Sequence, residues 1–124
     1  MPWTHYIMFG AIFGGISVAM GAFGAHALKS ILSPHYLQVF ETAVRYQMYH
    51  AITLLCVGLL ATRIDSVALK FSGYFFIAGI LIFSGSLYIL TLAGIKWFGA
   101  ITPIGGVFLI AGWLALFWSV YKIS

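Results

Sequence analysis

The sequence predicts an all-α integral membrane protein, an antiparallel up-down bundle of four transmembrane helices. Three observations carry that expectation. Of 124 residues, 63% are hydrophobic and 6% are charged, whereas a soluble domain carries about 25% charged residues. Such a chain cannot cover its surface with polar groups, so the bilayer must be its solvent. The apolar residues also fall into four segments of bilayer-spanning length, at about 6–25, 41–62, 71–92 and 102–121. The connections after the second and third spans are short, which makes consecutive spans antiparallel neighbours. The length fits one domain, residues 1–124.

Span one runs from about Tyr6 to Ala25 without a charged residue. Ala25-His26-Ala27 looks like a small-x-small cleavage site. No Lys or Arg precedes the stretch, however, and its apolar run is too long for a signal peptide, so it reads as a retained helix. Connection one, from His26 to about Phe40, is the longest and is expected to hold a short surface helix through Leu28, Ile31 and Leu32. Span two opens on Ser33-Pro34, a cap followed by an N1 proline. A helix from there to Thr62 is roughly 43 Å long, so its first two turns stand in the headgroup layer. Span three covers Phe71 to Leu92. Span four starts at Thr102-Pro103, again read as cap and N1 proline, and ends near Tyr121. Trp97, Trp113, Trp118 and Tyr121 are expected near span ends, where amphipathic rings meet the interface.

Small residues predict how the helices meet. Gly10, Gly14, Ser17 and Gly21 form a stripe on span one, and Gly79 belongs to a seam on span three with Ser72, Ser86 and Ala93. Such stripes let helices approach closely where no hydrophobic drive exists. Packing within one chain is the simpler use. A face for a second copy is the other.

The candidate chemistry lies at the outer end of span two. Glu41, Arg45 and Tyr49 fall on one side of the helix, and Thr42, Tyr46, His50 and Thr53 continue around it. In lipid such groups must face protein or a wet cavity, so this flank is expected to turn inward and form a polar recess near one leaflet. Glu41 and Arg45 are four apart with the acid first, the spacing of a helical ion pair. In the functional alternative Arg45 receives an anionic headgroup or small anion. His50 can contact Tyr46 one turn earlier. Ser84, Ser86 and Tyr88 give span three a polar half at the same level, suited to interhelical hydrogen bonds.

His26 and His35 lie at the same end, but their spacing with His50 does not suit a metal, and no metal or other cofactor is expected. No paired acids, phosphate loop or nucleophile-base arrangement points to an enzyme. The net charge of +4 comes from residues scattered at span ends, which suits lipid headgroups and not nucleic acid. Cys56 sits mid-span and reads as a small packing residue.

Several blocks carry a resemblance. Gly21-Ala-Phe-Gly-Ala-His26, Glu41-Thr-Ala-Val-Arg-Tyr-Gln-Met-Tyr-His50, Phe83-Ser-Gly-Ser-Leu-Tyr88 and Thr102-Pro-Ile-Gly-Gly106 followed by Ala111-Gly-Trp113 resemble the domain-of-unknown-function 423 family of small membrane proteins. That family looks related to transmembrane protein 256. The resemblance covers nearly the whole chain and implies a four-span inner-membrane protein in a bacterial setting. It supplies no activity, substrate or cofactor. Its blocks include His26, Tyr46, His50, Ser84, Ser86 and Tyr88.

Two functions are therefore expected. One is a binding or accessory protein whose polar pocket takes a lipid headgroup, a small polar ligand or a partner helix; membrane lipids, a second copy or another membrane protein are its candidate partners. The other is a small transporter or channel-like oligomer using Arg45 and His50. Below His50 span two is dry, which favours a one-sided pocket. Counting Arg and Lys places both termini in the cytoplasm by three to two if Arg45 is intramembrane.

Overall fold

A computed structural model describes residues 2–124 and, for Ala25, the backbone alone. Four α-helices follow one another: α1 (Trp3–Phe23), α2 (Pro34–Ala61), α3 (Val67–Ala93) and α4 (Thr102–Tyr121). A π-helical turn, Gly24–Leu28, prolongs α1, and a 3₁₀ turn, Lys96–Ala100, leads into α4. With these extensions α1, α3 and α4 are each long and apolar enough to cross a membrane. The 28-residue α2, whose first half is more polar, packs between α1 and α3.

Local chemistry explains the boundaries. The Ser33 hydroxyl accepts a hydrogen bond from the Tyr36 amide at 3.2 Å, and Pro34 begins α2. Ser66 caps α3 in the same way through the Leu69 amide at 3.3 Å, so the helix starts at Val67 and not at Phe71. Gly94, with φ at 72°, ends α3 in the left-handed conformation that glycine adopts without strain. Two expectations are corrected. Thr102 is not a cap: its hydroxyl donates back to the Phe98 carbonyl at 3.2 Å. No separate surface helix forms in connection one. Leu28 instead closes the π turn and is buried, while Ile31 stands exposed beyond it.

The helices form a row in which each packs on the next, and α1 and α4 hardly touch. Small residues set the spacing. A Cβ on Gly10 would lie 2.9 Å from the Ala51 carbonyl oxygen, and one on Gly58 would collide with Ile7. Between α3 and α4 a Cβ on Gly79 would sit 2.7 Å from Leu109 Cγ, one on Gly105 2.7 Å from Phe83 Cα, and one on Gly112 2.7 Å from Phe76. The span-one stripe thus faces α2 within the chain. Gly10 is its tight contact, whereas Gly14 and Gly21 have room, at 3.9 Å from Ala51 Cβ and 3.5 Å from Val44. Ser17 is buried and spends its hydroxyl on the Phe13 carbonyl.

Beneath these contacts one apolar core joins the row, with Tyr6 and Phe13 of α1, Ala51, Leu54 and Val57 of α2, Leu69, Phe76 and Ile80 of α3, and Leu109 of α4. Tyr6 also reaches α3 at the end opposite Glu41, donating to the Lys70 carbonyl at 3.3 Å. The outer faces carry Ile12, Ile16, Leu59, Leu81, Val107, Leu114 and Phe117, all exposed. Lipid chains are the natural cover for such a surface.

Gly105→Ala is expected to force α3 and α4 apart and lower stability by about 1–3 kcal/mol, the usual cost of overpacking. Gly15→Ala, on the exposed face of α1 with nothing within 4 Å, should be neutral or stabilising by up to about 1 kcal/mol. Equilibrium unfolding in detergent would compare the two. Equal effects would remove the close-approach account of the α3–α4 contact.

Candidate functional site

The sequence assigned α2 one inward polar flank, and the structure divides it. Glu41, Arg45, Tyr46 and Tyr49 are exposed, whereas Gln47, His50 and Thr53 are buried. The polar residues therefore do not share one inward face. The buried face of α2 is Phe40, Ala43, Gln47, Ala51, Leu54 and Gly58, because its small members admit α1 and α3 at close range. The bulky charged residues stay outside the bundle, where long side chains can extend towards the headgroups.

Gln47 is the hub of the interior. Its Nε2 donates to the Phe13 carbonyl of α1 at 2.9 Å, and its Oε1 accepts from the Tyr88 hydroxyl of α3 at 2.7 Å. Ser84 donates to the Ala43 carbonyl at 2.8 Å, a second buried bond of the same α2–α3 contact. The Ser86 hydroxyl lies 2.6 Å from that of Thr102, where it joins α3 to the start of α4. Among the described residues no buried side-chain polar atom lacks a partner.

His50 is equally committed. Its Nδ1 lies 2.7 Å from the Tyr46 carbonyl, and its Nε2 is 3.0 Å from Trp113 Nε1 of α4. A carbonyl only accepts and an indole N–H only donates. The imidazole is therefore neutral with its proton on Nδ1, and both nitrogens are engaged. Trp113 is thus an interhelical partner within α4, not a ring at a span end as its sequence position suggested. Phe76 packs beneath both rings, with centroids 5.7 Å from His50 and 5.3 Å from Trp113.

Two openings remain near these residues. Between α2 and α4, which meet mainly through the His50–Trp113 bond, a groove of about 520 Å³ is lined by Tyr46, Tyr49, His50, Phe83, Gly106, Leu109, Ile110 and Trp113. Tyr46 stacks on Phe83 at 4.9 Å. The hydroxyls of Tyr46 and Tyr49 have no hydrogen-bond partner among the described residues. On the other flank of α2 a notch of about 140 Å³ is bounded by Gly21, Gly24, Phe40, Glu41, Val44 and Arg45.

The expected Glu41–Arg45 ion pair does not form. Among the described residues the ion pair present is Lys70–Asp65, at 3.8 Å and at the opposite end of the bundle. His26 lies exposed on the π turn, away from His50. No group of three His, Cys, Asp or Glu among the described residues could hold a metal. The sequence reading passed over Gln47 and Trp113 as site residues. An amide at membrane depth was the available signal for Gln47, since it must find partners there. Nothing local marks Trp113.

Tyr88→Phe should leave Gln47 Oε1 buried without a donor and lower stability by about 1–2 kcal/mol. In a double-mutant cycle with Gln47→Leu, unfolding in detergent should give a coupling of about 0.5–1.5 kcal/mol. Strict additivity would mean the two side chains do not share a bond.

Comparison with known proteins accords with this architecture. The family model described as a protein of unknown function (DUF423) matches residues 20–106. A UPF0382 membrane protein of Staphylococcus aureus (strain bovine RF122 / ET3-1) is 46% identical over 119 residues, 96% of this chain and 97% of that protein. A UPF0382 membrane protein of Staphylococcus saprophyticus is 48% identical over 118 residues, covering 95% of this chain and 98% of its own length. The UPF0382 membrane protein YwdK of Bacillus subtilis (strain 168) is 45% identical over 112 residues, 90% of this chain and 91% of its own. No solved structure matches the chain. With a membrane-type helical architecture and bacterial membrane relatives matched along nearly their whole length, the chain belongs to the DUF423 family of membrane proteins.

Proposed function

We propose that this protein is a small accessory protein of the bacterial inner membrane that binds an acyl-chained amphiphile from the side, in the groove between α2 and α4. The observation that carries the reading is the groove itself. It is wide and mostly apolar, and it is lined by Tyr46 and Tyr49, whose hydroxyls have no hydrogen-bond partner among the described residues. Sites for small molecules combine an apolar lining with a few placed polar groups. A lipid ester or hydroxyl would supply what Tyr46 and Tyr49 lack, while its chain lies along Leu109, Ile110 and Trp113.

A transport route through Arg45 and His50 has less support. Arg45 is exposed on the far side of α2 from the groove, and both His50 nitrogens are already used. Towards the other end the interior is filled by Leu54, Val57, Leu69 and Phe76, all buried. The groove therefore serves one half of the membrane. Arg63, Lys70 and Lys122 at the opposite end support placing both termini in the cytoplasm.

Gly106 provides the test, because a Cβ there would lie 3.9 Å from Phe83, clear of any backbone. Gly106→Leu should fill the groove without separating the helices. Native mass spectrometry of the detergent-purified protein is expected to show a retained lipid that this variant loses, with Tyr46→Phe/Tyr49→Phe reducing retention about three- to tenfold. Unchanged retention in Gly106→Leu, or a dimer mass with no lipid adduct, would overturn the proposal. Flux across proteoliposomes that depends on His50 would do so as well.

A further inference from the structure

We propose that Glu41 and Arg45 form a binding site for the headgroup of a zwitterionic phospholipid bearing a primary ammonium, the chemistry of phosphatidylethanolamine. The site lies on the α1 flank of α2 and is independent of the α2–α4 groove.

The first observation is a pairing that fails to happen. An acid four residues before an arginine on one helix is the favourable arrangement for a local ion pair. Here both side chains are exposed, and neither makes an ion pair or hydrogen bond among the described residues. Both instead border the notch of about 140 Å³ between α1 and α2. Gly24 lets the π turn close over the Phe40 ring at one end of the notch, where a Cβ would come within 2.5 Å, while Gly21 borders it in ordinary contact range of Val44, at 3.5 Å. The result is a small hollow with apolar walls, a cation and an anion at its rim, and no protein group joining them.

The second observation is the order of the charges along the membrane normal. α2 descends into the bundle from its Ser33 cap, so Glu41 is the outer residue and Arg45 lies deeper by one turn, about 6 Å. Measured back from Ala61, the inner end of α2, Arg45 stands about 24 Å away and Glu41 about 30 Å, at the edge of the hydrocarbon core. In a diacyl ethanolamine phospholipid the phosphate is joined to the glycerol and the ammonium lies beyond it, towards water. The protein's sequence of charges, positive then negative going outward, is the complement of the lipid's. A guanidinium suits a phosphate because it donates two parallel N–H bonds. A carboxylate accepts from the N–H groups of a primary ammonium.

The same geometry discriminates among headgroups. A trimethylated choline nitrogen has no N–H to give Glu41. A glycerol headgroup leaves Glu41 facing a net negative lipid, with no cation to offset the repulsion. Arg45 alone would favour any phosphate, so the selectivity resides in Glu41.

The full-length protein in detergent, titrated with ethanolamine, choline and glycerol phospholipids of identical acyl chains, tests this by native mass spectrometry. The wild type should retain the ethanolamine lipid about three- to tenfold over the other two, the scale expected of exposed charge-assisted contacts. Glu41→Gln should abolish that preference, and Arg45→Gln should weaken all three. The double variant Glu41→Arg/Arg45→Glu keeps the net charge but inverts the order, and it should lose the preference. Both residues are exposed and unpaired, so unfolding midpoints should stay unchanged and serve as the folding control. Equal retention of the three lipids by the wild type, or an ethanolamine preference that survives the inversion, would overturn the proposal. So would a preference for the glycerol lipid that is insensitive to Glu41→Gln, because the site would then be an anion site at Arg45 alone. Gly106→Leu should leave the ethanolamine preference intact, which separates failure here from failure of the groove.

Discussion

A hydrogen-bonding group at membrane depth has no water to turn to, and this constraint organises the bundle. Gln47 meets it by bonding to α1 through its amide nitrogen and to α3 through its amide oxygen. One side chain thus fixes three helices at one level. Other interior polar groups follow the same rule at shorter range: Ser17, Thr53 and Thr91 return their hydroxyls to carbonyls of their own helices, while Ser84 and His50 reach across to neighbouring helices. Polar residues here act as joints, and among the described residues none that is buried lacks a partner.

Close approach is the other half of the architecture. Gly10 and Gly58 seat α1 on α2, while Gly79, Gly105 and Gly112 seat α4 on α3. The middle pair, α2 and α3, meets through Ala43, Ser84 and the aromatic contact of Phe40 with Tyr88. A chain that packs only its neighbours forms a row, and a row leaves gaps between elements one step removed. The α2–α4 groove is such a gap, bridged by the His50–Trp113 bond and floored by Phe83. The accessible chemistry accordingly lies on the flanks of α2, which carries polar residues outward, and not along the bundle axis.

That arrangement separates structural from accessible groups on one helix. His50, by composition the obvious reactive residue, is held at both nitrogens. Among the described residues Glu41 and Arg45 make no ion pair and the Tyr46 and Tyr49 hydroxyls no hydrogen bond, and all four border the two openings. In a bilayer the molecules that can reach such groups are lipids and other membrane helices, and the two flanks differ in kind. One is aromatic and long, the other small and charged.

The sequence alone determined the class, the four helices and their up-down order, because composition and span length answer to the bilayer and not to tertiary detail. It also marked Ser33-Pro34 as a helix start and the small residues of α1 and α3 as contact surfaces. Only the tertiary structure decided which side of α2 is buried. Periodicity shows that Glu41, Arg45 and His50 are polar, but the inward direction is set by Ala43, Ala51 and Gly58, whose smallness lets neighbours close in. The interhelical partners of Gln47 and His50 lie 34 to 63 residues away in sequence. No local pattern encodes such distances; they exist only once the helices have taken their places in the row.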